Sequence, residues 1–134
     1  MLGVHGYIGK TREEAVRRLV PLYEEHVKMF APLGFVPGLT PEQIAAVARR
    51  GGWEAAGVPK VEHFMGLGSW FAGTPDDLVA RLKQIEEDYP GMELMSLSPP
   101  LTTPKDIMLE QFQIVAEEVM PHFRERPAVR DAAK

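Results

Sequence analysis

Four histidines, His5, His26, His63 and His122, are the side chains of this chain best suited to move protons near neutral pH. His5 shares one face of an alternating segment with Tyr7, so it could serve as an acid or base at the mouth of a cavity. A packed or surface histidine is the alternative for each of the four. No histidine pair has i, i+4 spacing and the chain has no cysteine, so the sequence predicts no metal site.

A helix start at Gly73 and Thr74 is the second candidate. Thr74 is a typical N-cap, and Pro75 suits the first helical position. Because a helix N-terminus offers free N–H groups and a positive dipole, Gly73 and Thr74 are predicted to bind a cofactor phosphate. The alternative is that Thr74 is only an N-cap, since Asp76 and Asp77 fill the positive end and would repel a phosphate.

Alternating strands and capped helices are predicted to position these residues. Leu2 to Gly9 alternates as a strand does, and Thr11 then begins a helix that Pro21 should kink or split. Thr40 caps a short helix that ends at Gly51-Gly52. The stretch 51–73 is predicted to be a long ordered loop with room for one helical turn.

The second half of the chain repeats this order. The helix after Thr74 breaks at Tyr89-Pro90-Gly91, and Met92 to Leu97 follows as a strand. Thr103-Pro104 is predicted to cap the last helix, which ends at Arg126-Pro127. The predicted buried stripe of that helix consists of Met108, Phe112, Val115, Val119 and Phe123.

Composition and charge limit the class of protein. With 134 residues, 45% hydrophobic and 25% charged, the sequence predicts one α/β domain over residues 1–127 and a flexible tail over 128–134. The net charge of −4 argues against nucleic-acid and acidic-membrane partners. There is no membrane-span or signal-peptide pattern, and the lack of cysteine fits a cytoplasmic protein.

Several segments together resemble the luciferase-like monooxygenase superfamily, whose members are flavin- or deazaflavin-dependent TIM-barrel enzymes. The Gly73-Thr74-Pro75 helix start, Leu78 and Leu82, and the strand Glu93 to Ser98 resemble the family's closing segment. The last helix carries the similar run AEEVMPHFR, and the early run GYIGKTREEAVRRLVPLYEEH also resembles the family.

The resemblance implies a helix-rich α/β fold equivalent to the last strands and helices of a luciferase-like barrel. Because a whole barrel takes about 250 residues, strands one to six and their active-site loops are expected to be missing. The implied function is the C-terminal segment of a flavin-dependent monooxygenase or oxidoreductase, incomplete alone, with FMN or deazaflavin as cofactor. No catalytic residue is singled out, and Gly73 and Thr74 become the implied site of the flavin phosphate.

A group of ring side chains in the glycine-rich stretch has several interpretations. The group comprises Trp53, His63, Phe64, Trp70 and Phe71. It suits stacking on a flavin ring or lining a substrate pocket, or it anchors the loop, or it forms a subunit contact. The alternative function is a non-catalytic α/β assembly module that self-associates, with a dimer favoured, or that complements a separate N-terminal barrel half.

Overall fold

The computed structural model of the chain describes residues 2–36, 38–49, 56–92 and 94–123. The strands are β1 Leu2–Ile8, β2 Trp70–Gly73 and β3 Met95–Ser98. The α-helices within these ranges are α1 Arg12–Phe30, α2 Pro41–Val47, α3 Val61–Gly66, α4 Pro75–Asp88 and α5 Lys105–Ile114. A 3₁₀ turn, Ala31–Leu33, follows α1, while a π turn, Val115–Val119, and a 3₁₀ turn, Met120–Phe123, continue α5.

The three strands form a parallel sheet in the order β2-β1-β3. Tyr7, Trp70 and Ala72 pack with α1 on one face, around Ala15, Leu19, Tyr23 and Val27. The opposite face packs against α4 and the π turn, through Ile8, Phe71, Leu97, Leu78 and Val119. Helices therefore cover both faces, as parallel strands require.

The helix-rich α/β class predicted from the sequence is confirmed, and the sheet is open. In a (β/α)₈ barrel, consecutive strands pair and the helices form one outer ring. Here β3 pairs with β1 and not with β2, and the two layers of helices lie on opposite faces. The observed order is therefore that of a small doubly wound sheet.

The start of helix α1 is determined by hydrogen bonds among neighbouring residues. The Thr11 hydroxyl accepts a hydrogen bond from the Glu14 N–H at 3.2 Å, and the Glu14 carboxylate accepts one from Lys10 N–H at 3.2 Å. The helix then continues through Pro21, so the predicted split is wrong. Pro21 lies on the exposed side, where water can bond the carbonyl that the proline leaves free.

Three predictions about the later elements are corrected. Trp70–Gly73 is a strand and not part of a loop, and α3 precedes it. Thr103 does not cap α5: it is only 6% exposed, its hydroxyl has no hydrogen-bond partner among the described residues, and the helix begins after Pro104. Phe112 is 49% exposed, so it does not belong to a buried stripe.

At the carboxyl end of β1, a side chain forms the hydrogen bonds that a neighbouring strand would otherwise form. β3 pairs with Leu2 to His5 only, and Pro99 and Pro100, which follow it, have no N–H to donate. Beyond that point the Ile8 N–H donates to Gln111 Oε1 at 2.7 Å, and Gln111 Nε2 donates to the Ile8 carbonyl at 2.9 Å. The amide of Gln111, 3% exposed, thus takes the place of a strand residue.

Candidate functional site

A cluster of rings lies between β1 and the second half of α1. Strand register places His5 beside Trp70 on one side and Ser98 on the other. Helix α1 then brings His26 over the same face, with its ring centroid 4.8 Å from His5 and 5.2 Å from Trp70. Phe30, one helical turn later, lies 4.5 Å from His26. We call His5, His26, Phe30 and Trp70 the histidine cluster.

Burial controls the charge of both histidines. It lowers the pKa of His5, which a hydrogen bond to Ser98 raises again in part. Burial, and then the neighbouring His5, lower the pKa of His26 to about 4. Both imidazoles are therefore neutral at pH 7, and His26 Nδ1 is buried without a hydrogen-bond partner in the described part of the chain.

The neighbours of the cluster add polar groups but no assembled catalytic set. The Ser98 hydroxyl lies 3.3 Å from His5 Nδ1. The Tyr23 hydroxyl donates to the Pro59 carbonyl at 2.7 Å, and burial raises the pKa of that hydroxyl. A neutral His5 can accept a proton, but the hydrogen bonds described here do not align a nucleophile, a base and an orienting carboxylate.

A cavity of about 440 Å³ lies at β2, and we call it the β2 cavity. Apolar side chains form most of its wall: Val4, Val16, Met65, Trp70, Phe71, Ala72, Leu78 and Met95. The charged residues that line the cavity are Arg12, Glu62, Asp77 and Arg81. Its size and its mixture of an apolar wall with a few charged groups are typical of a small-molecule site.

The helix start at Gly73 and Thr74 is occupied by the chain's own carboxylate. The Thr74 N–H donates to Asp77 Oδ2 at 2.9 Å, and the Asp77 N–H donates to the Thr74 hydroxyl at 3.2 Å. These bonds lower the pKa of Asp77. A phosphate at Thr74 requires this carboxylate to move, so the arrangement as it stands does not fit the group, and the flavin-phosphate site stays a prediction.

A second cavity, of about 650 Å³, opens at the carboxyl end of β1, where the strand order reverses. Ligands of open α/β sheets often bind at such a position. Its charged lining comprises Lys10, Glu14, Arg18, Glu110, Glu117 and Glu118. Arg18 is already paired with Glu14 at 3.2 Å, so acidic groups dominate. The described residues contain no group of three or more metal-ligating side chains.

The structure separates the remaining candidates. Phe64 lies on the α1 side of the sheet, 5.9 Å from Tyr23, whereas Phe71 packs on the other face. His63 is exposed next to Phe64, and His122 is exposed near the chain end. Trp53 lies outside the described residues. The predicted ring group is therefore not one surface.

Sequence reasoning missed the pairing of His5 with His26, and it missed that Arg12 and Arg81 line one cavity. Two ordinary signals could have found the first, since His5 shares one strand face with Tyr7 and His26 lies at helical spacing from Ala15 and Leu19. No local signal indicates the second, because only the fold brings the two arginines to the β2 cavity.

Comparison of the chain with family models, with curated proteins and with solved structures found no match. Among the described helices, none combines the length and apolar character needed to cross a membrane.

Proposed function

We propose that the chain is the C-terminal portion of a luciferase-like, flavin- or deazaflavin-dependent monooxygenase or oxidoreductase, and that further strands must complete it. The ordered motifs from Gly73-Thr74-Pro75 to the AEEVMPHFR run support the family. In this role the chain contributes parallel strands and the walls of a binding site. The flavin supplies the redox chemistry, and the protein positions the reactants and excludes water.

The unpaired edge of β3 is the single observation that carries the proposal that further strands must complete the sheet. β3 pairs with β1 on one side, and no described strand covers its other side. The strand is only partly buried, and Leu94 and Leu101, at either end of it, are exposed. An unpaired edge beside exposed apolar side chains is a surface that favours pairing with another strand.

Completion as a barrel has a structural requirement. Strands pair in chain order in a barrel, so β3 must leave β1 and pair with β2. Helix α4 must also move to the face that α1 covers. The proposal therefore includes a rearrangement of β3 and α4 when the missing strands bind.

A complementation experiment tests this proposal. The chain supplies three parallel strands, so it is mixed with a separately produced segment that contains the first five strands of a luciferase-like FMN-dependent oxidoreductase. Oxidation of an aldehyde or sulfonate with reduced FMN should require both parts, and the chain alone should show none. Turnover by the chain alone, or a mixture that neither binds FMN nor forms a complex, would contradict the proposal.

An exposed apolar stripe favours the second candidate, a non-catalytic module that pairs with a second copy of itself. Leu109, at 57% exposure, and Phe112 lie one helical turn apart on α5, and exposed Met120 continues the stripe in the 3₁₀ turn. A symmetric dimer buries such a stripe against its own copy, and the dimer is the commonest assembly of this kind.

Sedimentation at micromolar concentrations distinguishes the second candidate from a monomer. The unmodified chain should sediment as a dimer, and the double variant Leu109→Ser, Phe112→Ser should shift towards the monomer. Leu67→Ser is the control, because Leu67 is 69% exposed but lies away from α5. A compact monomer of 15.0 kDa at all concentrations would contradict self-association.

A further inference from the structure

The β2 cavity contains two arginines that do not form salt bridges with any described carboxylate. The salt bridges in the described part of the chain join Arg18 to Glu14 and Lys28 to Glu25. Arg12 and Arg81 are in neither pair, although both line the cavity. Arginine carries its charge at every physiological pH and matches carboxylate and phosphate oxygens in pairs.

The end of the Arg81 side chain lies against a glycine. Gly68 has φ of +79°, a left-handed conformation that glycine adopts without strain. A Cβ on Gly68 would lie 2.6 Å from Arg81 Nη2, so the guanidinium lies directly against the glycine backbone. The absence of a side chain at Gly68 thereby leaves room for Arg81 at the cavity wall.

The carboxylates of the same cavity neutralise the arginines only in part. Asp77 is already engaged, because its carboxylate accepts the Thr74 N–H and caps α4. Its interaction with Arg12 acts at a distance greater than that of a salt bridge. Glu62 on α3 is exposed, as are Arg12 and Arg81, so water screens all three charges.

An aromatic wall lies next to these charges. Trp70 and Phe71 are adjacent on β2 and project to opposite faces of the sheet, and both contribute to the cavity lining. Met65 adds a flexible, polarizable side chain. A flat apolar body finds contact area on the Trp70 and Met65 side of the cavity while an attached anion reaches the arginines.

We propose that the β2 cavity binds a small organic anion with a flat apolar body, of the aryl phosphate or aryl carboxylate class. Arg12 and Arg81 bind the anionic group, and the wall around Trp70 holds the ring system. This inference does not rest on the proposed function and concerns the lone chain, because Arg81 and Met95 line the cavity and the proposed completion would move their elements, α4 and β3.

Calorimetric titration with naphthyl phosphate tests the inference directly. Naphthol, which keeps the rings and lacks the charge, and naphthylmethylammonium, which reverses the charge, are the comparison ligands. The variants are Arg12→Gln and Arg81→Gln. Arg17→Gln is the matched control, because Arg17 is an exposed arginine of α1 that does not line the cavity.

The phosphate should bind more tightly than either comparison ligand, and added salt should weaken it. Each cavity variant should weaken phosphate binding by about five- to tenfold, as expected for loss of a partly exposed charge-assisted hydrogen bond. Naphthol binding and the control variant should change by less than about twofold, as surface substitutions away from a site do. The indole N–H resonance of Trp70, recorded in a Trp53→Phe background, should shift on binding.

Four results would overturn the inference. Equal binding of naphthol and naphthyl phosphate would show that the negative charge of the ligand does not contribute to binding. Tighter binding of the ammonium ligand would show that Glu62 and Asp77 dominate the cavity. An equal loss in Arg17→Gln, or no shift of the Trp70 resonance, would place the ligand elsewhere on the chain.

Discussion

Acidification should destabilise this protein through His26. The ring is only 8% exposed and lies among His5, Phe30 and Trp70, with Nδ1 unpaired in the described part of the chain. In a protonated imidazole there, the Nδ1–H would be buried without an acceptor among the described residues to stabilise its charge. Burial, and then His5, accordingly lower the pKa of His26 to about 4.

The direction and size of the effect follow from proton linkage. In the unfolded chain His26 titrates near 6.5, so below that pH the unfolded state binds a proton that the folded state excludes. The stabilisation is complete above pH 6.5 and is lost as the pH falls towards about 4. At about 1.36 kcal/mol per pKa unit, the free energy of unfolding should fall by roughly 2–3 kcal/mol across this window.

Urea unfolding at a series of pH values measures this loss. In His26→Phe, which keeps a ring in the cluster, the fall between pH 6.5 and 4 should be smaller by roughly 2–3 kcal/mol. Carboxylates also titrate in this range, so the difference between variants is the informative quantity. His122→Gln, at an exposed position, is the control. An unchanged pH dependence in His26→Phe would refute the reasoning.

Three further outcomes are expected. Gln111→Leu should lower the free energy of unfolding by about 2–4 kcal/mol in urea, because the buried N–H and carbonyl of Ile8 lose both hydrogen bonds. Gln111→Glu should cost at least as much at pH 7, because it buries a carboxylate and sets one of its oxygens against the Ile8 carbonyl. Thr74→Ala should cost about 1 kcal/mol through the lost cap of α4; tighter FMN binding in this variant would contradict the predicted phosphate site. The chain alone should retain little or no FMN through purification, and a flavin absorbance band at one flavin per chain would contradict that expectation.

The helix starts could be predicted from the sequence because their signals are local. Thr11, Thr40 and Thr74 each accept a hydrogen bond from the N–H three residues later. The spacing of Thr and Glu, Gln or Asp is visible in the sequence, and the energetics depend on a few adjacent residues. Thr103 has the same Thr-Pro signal, but tertiary packing buries it and the helix starts without it.

The sheet could be predicted only in part because its determinants are not local. β2 has four residues and is buried or half-buried throughout, so it shows no alternation of apolar and polar residues. Its glycine-rich neighbourhood therefore indicated a loop. The strand order is even less accessible, since it depends on which edge of β1 receives β3.

The candidate site shows the same division between local and non-local signals. His5 and Trp70 could be singled out by residue type, and His26 by its helical spacing from Ala15 and Leu19. Their meeting follows from the register between β1 and β2. The cationic part of the β2 cavity depends on residues 12 and 81, which only the fold brings to one cavity.

Gln111 connects the observed fold with the proposed completion. Its amide satisfies the edge of β1 at Ile8, where a neighbouring strand would otherwise pair. A barrel partner that supplies this strand must displace the amide, because one N–H and one carbonyl cannot serve both ladders. Gln111→Leu should therefore weaken the lone chain far more than a completed complex, whereas equal destabilisation of both would show that the edge of β1 is never opened.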